Sequence, residues 1–164
     1  MLICRNMDLD PVKKEFLLAM RGITSTVTVI SAKDGENKQA MTATSVVSLS
    51  LDPPTMLVCI NHEALIHDVM KEEVGFCINI LSVGQESLAD ICSIKGKERQ
   101  RFLEGNWSEL DDIPYNKDSQ SNMFCNCIKA IECTTHTIYL GEIIEVFNQS
   151  SFNPLLYKDG NYLA

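Results

Sequence analysis

The chain has 164 residues, 45% of them hydrophobic and 22% charged, and 22 Asp and Glu against 14 Lys and Arg give it a formal net charge of −8. This composition is that of an ordinary globular protein, and a domain of this size buries roughly 70% of its unfolded surface without disulfide or metal staples. An acidic chain has no excess of Lys and Arg to displace counterions, which argues against a nucleic-acid partner. A small anionic ligand remains compatible, since backbone N–H groups bind phosphate. We expect one domain over residues 1–164.

No membrane-spanning or export segment is predicted. No stretch approaches the ~20 apolar residues that cross a bilayer, and the apolar run at the start of the chain is too short for a signal peptide. The seven cysteines are odd in number and mostly scattered. They are expected to be free thiols in a reducing compartment, so the sequence predicts a cytoplasmic protein with no membrane partner.

A helix is predicted first. Asp10 is a suitable N-cap, Pro11 suits the first helical position and Gly22 can end the helix. An apolar face at helical spacing is expected to pack on a sheet; it comprises Val12, Phe16, Ala19 and Met20.

A β-hairpin follows. Residues 24–31 are rich in β-branched side chains that alternate as in a strand. Asp34-Gly35 predicts a turn, and the return strand is expected at about 39–49. The prolines at 53 and 54 end that strand. The apolar run 55–60 predicts a central strand buried on both faces.

The second half of the chain predicts further strands with few helices. A helix is expected at 63–73 and a strand at 76–81, and Ser82 with Gln85 fits a capping box for another helix. A loop is predicted at 111–122, followed by adjacent antiparallel strands at 124–133 and 137–147. Since strands outnumber helices and are joined by short connections, an antiparallel barrel with a few outer helices is the expected fold.

The strand at 39–49 carries unusually many hydroxyl residues, among them Thr42, Thr44, Ser45 and Ser48. Small hydroxyl side chains and free backbone N–H groups can hold a phosphate or let a ligand approach closely. Alternatively, Thr and Ser simply occupy the solvent face of a strand. His136, in a tight connection between two strands, leaves a similar choice between a ligand contact and a turn cap.

Metal binding is not expected. Cys125, Cys127, Cys133 and His136 form a C-x-C-x5-C-x2-H pattern, but Cys125 and Cys127 would lie about 7 Å apart along one strand, which suits a shared metal poorly. His62 and His67 are explained equally well as surface residues or as ligand contacts.

A short basic segment, 95–101, is either a solvated helix end or an anion-binding site. The nucleophile elbow G-x-S-x-G, the zinc motif H-E-x-x-H, the dinucleotide motif G-x-G-x-x-G and the phosphate loop are all missing. A bound nucleotide is therefore not held in the Rossmann or P-loop manner.

Taken in order, four segments resemble a known family. Residues 41–54 are close to the run M-T-A-S-S-x-x-S-V-S-L-D-P-P that follows a β-branched strand, here 26–30. The other three segments are 57–61 with 76–81 and Gln85, Arg101-Phe102 with Trp107, and 136–143 with 154–157. Over residues 11–162 the chain resembles the short-chain NAD(P)H:flavin reductases of the FMN-binding split-barrel superfamily, the reductase components of two-component flavin monooxygenases.

The resemblance implies a mainly β split barrel, antiparallel and Greek-key-like, with a few peripheral helices. It implies hydride transfer from NADH or NADPH to FMN or FAD, a homodimer, and an oxygenase component as a partner for the reduced flavin. His136 would lie at the nicotinamide side. The residues implied in flavin binding are Met41, Thr42, Ala43, Thr44, Ser45, Ser48, Asn61, His62, Ala64, Lys97, Arg101 and Phe102.

One departure from the family concerns the nicotinamide side. The family's G-D before the histidine is Thr134-Thr135 in this chain, and the hairpin there is shortened. The carboxylate that could help place the nicotinamide is therefore missing. An alternative function is a non-enzymatic flavin-binding or electron-transfer protein on the same barrel.

Overall fold

A computed structural model describes residues 10–163. Its helices are α1 (Pro11–Arg21), α2 (Glu86–Ser93) and α3 (Glu98–Arg101), with a 3₁₀ turn at Leu65–Asp68. Within residues 10–163, none of these helices is long and apolar enough to cross a membrane. The strands are β1 (Ser25–Thr26), β2 (Thr28–Asp34), β3 (Asn37–Ala43), β4 (Val46–Leu51), β5 (Pro54–Asn61), β6 (Gly75–Ile80), β7 (Trp107–Leu110), β8 (Ile113–Asn116), β9 (Ser121–Cys133), β10 (His136–Asn148), β11 (Leu156–Lys158) and β12 (Asn161–Leu163).

Seven strands form the main sheet, in the order β3-β2-β6-β9-β10-β5-β4, with every neighbouring pair antiparallel. The main core is apolar and includes Ile30, Val58, Ile60, Phe76, Ile78 and Tyr139. Two small sheets, β1-β11-β12 and β7-β8, complete the β structure. The predicted antiparallel, mainly β architecture with a few helices is confirmed.

The connection between β3 and β4 closes this sheet on itself. These two strands are the opposite edges of the main sheet, yet only Thr44 and Ser45 separate them in sequence. Two intervening residues span at most about 11 Å between the flanking Cα atoms, so the two edges must approach each other. Because β3 and β4 do not pair, the result is a rolled sheet with a split between its edges.

The same topology corrects the predicted return strand at 39–49. That segment is two strands, because its first half pairs with β2 and its second half pairs with β5. The predicted strand at 55–60 is present, but it is not buried on both faces. Thr55, Val58 and Ile60 are buried, whereas the residues between them are only half-buried.

The first helix forms as predicted, with Asp10 Oδ1 accepting from the Val12 N–H at 3.0 Å and Gly22 following its last residue. Its expected packing on a sheet is wrong, since no residue of α1 is buried. Val12 and Phe16 are 74% and 61% exposed. Nothing in the part of the chain that the structure describes covers this apolar face.

The predicted helix at 63–73 is wrong, because other elements take its backbone groups. Asn61 Oδ1 accepts the Glu63 N–H at 2.8 Å, and the Tyr139 hydroxyl donates to the Met70 carbonyl at 3.1 Å. Only one 3₁₀ turn, Leu65–Asp68, forms between these contacts.

The capping box forms only in part. Gln85 Oε1 accepts from the Ser82 N–H at 2.8 Å, but α2 begins at Glu86, so Ser82 is not its N-cap. The predicted loop at 111–122 instead contains β8, paired with β7. Asp111 and Asp112 both adopt positive φ, 48° and 63°, in the two-residue turn of this hairpin.

A buried amide connects four strands of the fold. Asn79 on β6 donates from Nδ2 to the Val29 carbonyl at 2.8 Å and to Ser31 Oγ at 2.9 Å, both on β2. Its Oδ1 accepts from the Asn116 N–H at 2.8 Å and from Asn122 Nδ2 at 2.9 Å. All four of its hydrogen-bonding positions are therefore used, which fixes the β7–β8 hairpin against the main sheet.

Replacing this amide should destabilise the whole fold. Asn79→Ala leaves the Asn116 N–H and the Val29 carbonyl without this partner in a buried site, and each such group costs about 1–3 kcal/mol. We expect the free energy of unfolding, measured by urea denaturation, to fall by about 3 kcal/mol. Asn37→Ala, at an exposed asparagine on β3, should change it by less than about 0.5 kcal/mol. Equal effects of the two substitutions would contradict the role given to Asn79.

Candidate functional site

The break between β3 and β4 borders a cleft of about 360 Å³. One wall is the end of β3 and the break itself, the second is α2, and the third is the β11–β12 hairpin. Its lining residues are Val27, Thr42, Ala43, Thr44, Asp90, Ser93, Tyr157, Gly160 and Tyr162. We call this the upper cleft.

A second cleft of about 220 Å³ adjoins the first, since Ser93 at the end of α2 lines both. It lies between β3, the segment after β5, and the segment from α2 to α3. Its lining residues are Met41, Asn61, Glu63, Ala64, Leu65, Ile66, Cys92, Ser93, Lys95, Glu98 and Arg101. We call this the lower cleft. The two clefts together bring seven of the predicted site residues to one groove: Met41, Thr42, Ala43, Thr44, Asn61, Ala64 and Arg101.

The hydroxyl groups at the break fall into two classes. Thr42 Oγ1 donates to the Ala89 carbonyl at 2.6 Å, and Thr28 Oγ1 donates to the Ala43 carbonyl at 2.6 Å, so both hold the fold together. Thr44 and Ser45 are exposed, and their hydroxyls make no hydrogen bond with any residue between 10 and 163. These two side chains are therefore available to a ligand.

Arg101 forms the back wall of the lower cleft and is only 6% exposed. Its Nη1 donates to the Ala40 carbonyl at 2.8 Å, and its Nη2 donates to the Ile94 carbonyl at 3.1 Å. Its buried Nε has no partner among the described residues. Arg101 therefore ties α3 to β3 and retains one cationic donor that is not used by the protein.

The thiol of Cys92 lies in the same wall and stays neutral. Burial raises the pKa of Cys92 to about 12, against an opposing effect of the nearby Arg101 charge. At neutral pH this cysteine is a small apolar part of the lining and not a nucleophile.

Two tyrosines of the C-terminal hairpin give the upper cleft an aromatic side. The rings of Tyr157 and Tyr162 meet edge to face with centroids 5.5 Å apart, and the Tyr162 hydroxyl donates to Asp90 Oδ1 at 2.8 Å. Burial and this hydrogen bond both raise the pKa of Tyr162, so its phenol remains protonated. The sequence prediction assigned no role to five residues of this cleft: Asp90, Ser93, Tyr157, Gly160 and Tyr162. The spacing of Tyr157, Gly160 and Tyr162 near the end of the chain was the one sequence pattern that could have indicated them.

Five predicted flavin contacts line neither cleft: Ser45, Ser48, His62, Lys97 and Phe102. Ser48 is exposed on β4 opposite Met56, and Lys97 precedes the first residue of α3. Phe102 packs on Trp107 with ring centroids 4.7 Å apart, and the Lys38 ammonium lies 4.6 Å from its ring centre. Ser45 lies at the break but lines a separate hollow beside Met20 and Val47.

His136 and His62 flank the end of β5. His136 is the first residue of β10 and lies opposite Asn61, and its Nδ1 is 2.9 Å from Thr135 Oγ1. His62 follows Asn61 but does not line the lower cleft. Its Nε2 lies instead 3.0 Å from Glu132 Oε2. Asn61 therefore connects the lower cleft to the nearby His136.

The cysteine pattern considered for a metal does not assemble. Cys125 and Cys127 are buried in β9, where burial raises the pKa of both thiols. In residues 10–163, Cys125, Cys127, Cys133 and His136 do not form a group of metal ligands.

Comparison with known proteins identifies the family. Residues 20–164 match the family described as Flavin reductase like domain. The chain is 31% identical to the reductase component of an FADH(2)-dependent resorcinol hydroxylase from Rhizobium sp. over 97% of this chain and 90% of that protein. It is 30% identical to the FMN reductase (NADH) RutF of Pseudomonas syringae pv. syringae over 88% of this chain and 82% of that protein.

Solved structures agree with this assignment. The NADH:FAD oxidoreductase SgcE6 of Streptomyces globisporus, in complex with NAD and FAD fragments, superimposes with a TM-score of 0.85 at 25% identity over 96% of both chains. The flavin reductase PheA2 superimposes with a TM-score of 0.79 at 26% identity over 94% of this chain and 97% of its own. The chain belongs to the flavin reductase like domain family, and the predicted split-barrel fold is confirmed.

The residues of the groove fit a flavin. A flavin carries an aromatic ring system, a hydroxylated chain and an anionic phosphate. The upper cleft offers the faces and edges of Tyr157 and Tyr162, the break offers the free hydroxyl of Thr44, and the lower cleft offers Lys95 and the unpaired Nε of Arg101.

The two classes of hydroxyl should separate in mutagenesis. Thr42→Val removes the donor to the Ala89 carbonyl and should lower the free energy of unfolding by about 1–2 kcal/mol. Thr44→Val removes an exposed hydroxyl with no protein partner and should change it by less than about 0.5 kcal/mol. Thermal denaturation followed by circular dichroism measures both. A loss of stability in Thr44→Val as large as that in Thr42→Val would show that Thr44 is also structural.

Proposed function

We propose that this protein is an NAD(P)H:flavin oxidoreductase that reduces FMN or FAD with a hydride from a nicotinamide and releases the reduced flavin to an acceptor. The observation that carries this proposal is the pair of free hydroxyls, Thr44 and Ser45, at the β3–β4 break. The break borders the groove at which seven of the predicted site residues meet. Membership in the flavin reductase like domain family supports the reaction class.

The proposal gives each part of the groove a role. Thr44 and Ser45, with the backbone of the break, bind polar atoms of the flavin. Met41, Asn61 and Ala64 shape the lower cleft. Its cations are Lys95 and Arg101, but Glu63 and Glu98 also line it, and Glu98 Oε1 lies 3.5 Å from Arg101 Nη2. His136 is placed at the nicotinamide side, next to Asn61. Ser48, His62, Lys97 and Phe102 are outside both linings and are not needed for this arrangement, whereas Ser45 contributes from the hollow that adjoins the break.

A bound flavin supplies the hydride-accepting chemistry, and the chain itself supplies position and electrostatics. Hydride transfer requires the reacting atoms to be held about 3–3.5 Å apart, so the main contribution of the protein is a groove that holds two ring systems together. The phenol of Tyr162 and the thiol of Cys92 stay neutral at these walls, so neither adds a negative charge beside the ligand.

NADH is the proposed donor, with its adenosine ribose placed along the upper cleft. The lining residues of this cleft carry one carboxylate, Asp90, and neither Lys nor Arg. NADPH has an additional phosphate on its ribose, and an acidic lining without a cation disfavours that group. The curated relative from Pseudomonas syringae is named an FMN reductase (NADH), which is consistent with this choice.

An oxygenase component is the proposed acceptor for the reduced flavin. The curated relative from Rhizobium is named as the reductase component of a hydroxylase.

We further propose a cytoplasmic location, because all six cysteines between residues 10 and 163 are free thiols.

A steady-state assay tests the reaction. With saturating FMN or FAD, we expect NADH oxidation, followed at 340 nm, well above the free-flavin background and faster than NADPH oxidation. Thr44→Val should raise the flavin Kd or KM by about 10-fold through loss of one hydrogen bond to the ligand. His136→Ala should raise the KM for NADH at least 10-fold while flavin affinity, measured by fluorescence quenching, changes less than 3-fold.

Two results would contradict the proposal. Flavin binding without NADH or NADPH oxidation would support a non-enzymatic flavin-binding protein, which the Thr134-Thr135 turn before His136 first suggested. Equal losses of flavin and nicotinamide affinity in His136→Ala would remove the assignment of His136 to the nicotinamide side.

A homodimer is the proposed assembly, because α1 has an apolar face that the chain itself leaves exposed. Val12, Phe16 and Met20 are 74%, 61% and 46% exposed on that face. The end of α1 and the neighbouring β4 line a hollow of about 500 Å³, and β4 adds the exposed Leu49 and Leu51. An apolar surface of this extent is typical of a protein–protein interface.

The oligomeric state and one charge substitution test this assembly. Light scattering after size exclusion should give twice the monomer mass of 18.3 kDa. Phe16→Glu should weaken the dimer at least about 30-fold, since it places a charge in the centre of the apolar face. Lys14→Glu, on the opposite face of α1, is the matched control and should remain dimeric. A monomeric wild-type protein at 50 μM would refute the proposed dimer.

A further inference from the structure

Two histidines and a glutamate meet at the end of β5, outside both clefts. His62 follows β5, His67 lies in the 3₁₀ turn, and Glu132 is near the end of β9. One potential ligand atom of each, a ring nitrogen of either histidine or a carboxylate oxygen of Glu132, lies within 4.8 Å of those of the other two. The imidazole rings of His62 and His67 have centroids 5.0 Å apart. These are two of the three histidines of the whole chain.

A buried threonine hydroxyl orients this group. Thr137 on β10 is 0% exposed. Its Oγ1 donates to Glu132 Oε1 at 3.0 Å and lies 2.8 Å from His67 Nε2. Glu132 Oε1 is thus held by Thr137, while Oε2 is 3.0 Å from His62 Nε2.

This hydrogen bonding also sets the state of the His67 ring. Thr137 has one hydroxyl proton, which is donated to Glu132, so its oxygen must accept from His67 and Nε2 must carry a hydrogen. In a neutral His67 the free lone pair is then on Nδ1. Histidines that bind metals commonly hold their other ring N–H on an oxygen acceptor in this way.

The donor set has a defined chemical preference. Two imidazoles and one carboxylate suit Zn²⁺ and other divalent transition metals, whereas Ca²⁺ and Mg²⁺ prefer all-oxygen sites. Three protein ligands leave a fourth position of a tetrahedral Zn²⁺ ion open to water. The exposed side chains of His62 and Glu132 can adjust to shorten the spacing between ligand atoms, while His67 is held by Thr137.

We propose that His62, His67 and Glu132 form a binding site for a divalent transition-metal ion of the Zn²⁺ class, with Thr137 as the residue that positions His67 and Glu132. The site is separate from the flavin groove, since none of its three ligands lines either cleft. It is independent of the cysteine pattern, because it uses no thiol.

Metal titration of the full chain tests this site without flavin or nicotinamide. Tag-free, chelator-treated protein should bind one Zn²⁺ per chain in isothermal titration calorimetry, and Co²⁺ should give ligand-field absorption that Zn²⁺ abolishes. Glu132→Gln and His62→Ala should each weaken Zn²⁺ binding at least 10-fold. Thr137→Val should weaken it about 10-fold by loss of orientation.

Matched controls locate the site within the chain. His136→Ala removes the remaining histidine, and Asp68→Asn removes an exposed carboxylate next to His67; both should leave Zn²⁺ affinity within 2-fold of the original. Circular dichroism confirms that each variant is folded, and the exposed His62→Ala provides the test if Thr137→Val is not.

Three results would overturn the proposal. They are the lack of saturable Zn²⁺ binding at 100 μM metal, a loss in His136→Ala equal to that in Glu132→Gln, and an intense thiolate-to-Co²⁺ charge-transfer band showing cysteine ligation. Because the readout is metal binding alone, failure here leaves the proposed flavin reduction standing, and failure of the reductase assay leaves this site standing.

Discussion

The buried side chain of Asn79 is the contact on which the position of the groove depends. Its amide fills all of its hydrogen-bonding positions with partners on β2, β8 and β9. One partner, Asn116, accepts through Oδ1 from Gln85 Nε2 at 3.1 Å, directly before α2. A continuous set of hydrogen bonds therefore runs from the centre of the sheet to the helix that supplies Asp90, Cys92 and Ser93 to the clefts. Buried polar groups impose such a unique arrangement because any alternative leaves one of them unpaired.

The groove itself results from how the sheet closes. The two edge strands, β3 and β4, are joined by two residues, so the sheet must curl until its edges meet, and the break exposes the hydroxyls of Thr44 and Ser45. The Ser45 carbonyl is held by the Cys59 N–H on β5, so the side-chain hydroxyls are the groups of the break that stay open to a polar ligand. The fold that resolves the closure of the sheet thus also creates the site where a flavin is proposed to bind. The exposed face of α1 is left over by this closure and is available to a second chain.

Sequence reasoning located the site better than it located the individual contacts. Residues 41–44, Asn61, Ala64 and Arg101 come together at the groove, whereas Ser45 faces a separate hollow. Thr42 has a structural hydrogen bond instead of a free hydroxyl, and Phe102 packs on Trp107. The tyrosines of the C-terminal hairpin were missed because they reach the groove only through the pairing of β11 with β1. For the same reason, Glu132 could not be associated with His62 and His67 before the register of β9, β10 and β5 was known.

Local patterns determined the first helix with its caps, the hairpin at Asp34-Gly35, the long β9–β10 pair and the predominance of antiparallel strands, because caps, turns and β-branched alternation act over a few residues. The ordered motifs also determined the family. Only the tertiary structure decided that residues 39–49 are two strands at opposite edges of one sheet, that residues 63–73 do not form a helix, and that α1 has an uncovered apolar face. Each of these depends on which distant strand or side chain takes a backbone hydrogen bond or an apolar surface, and such partners are far apart in sequence.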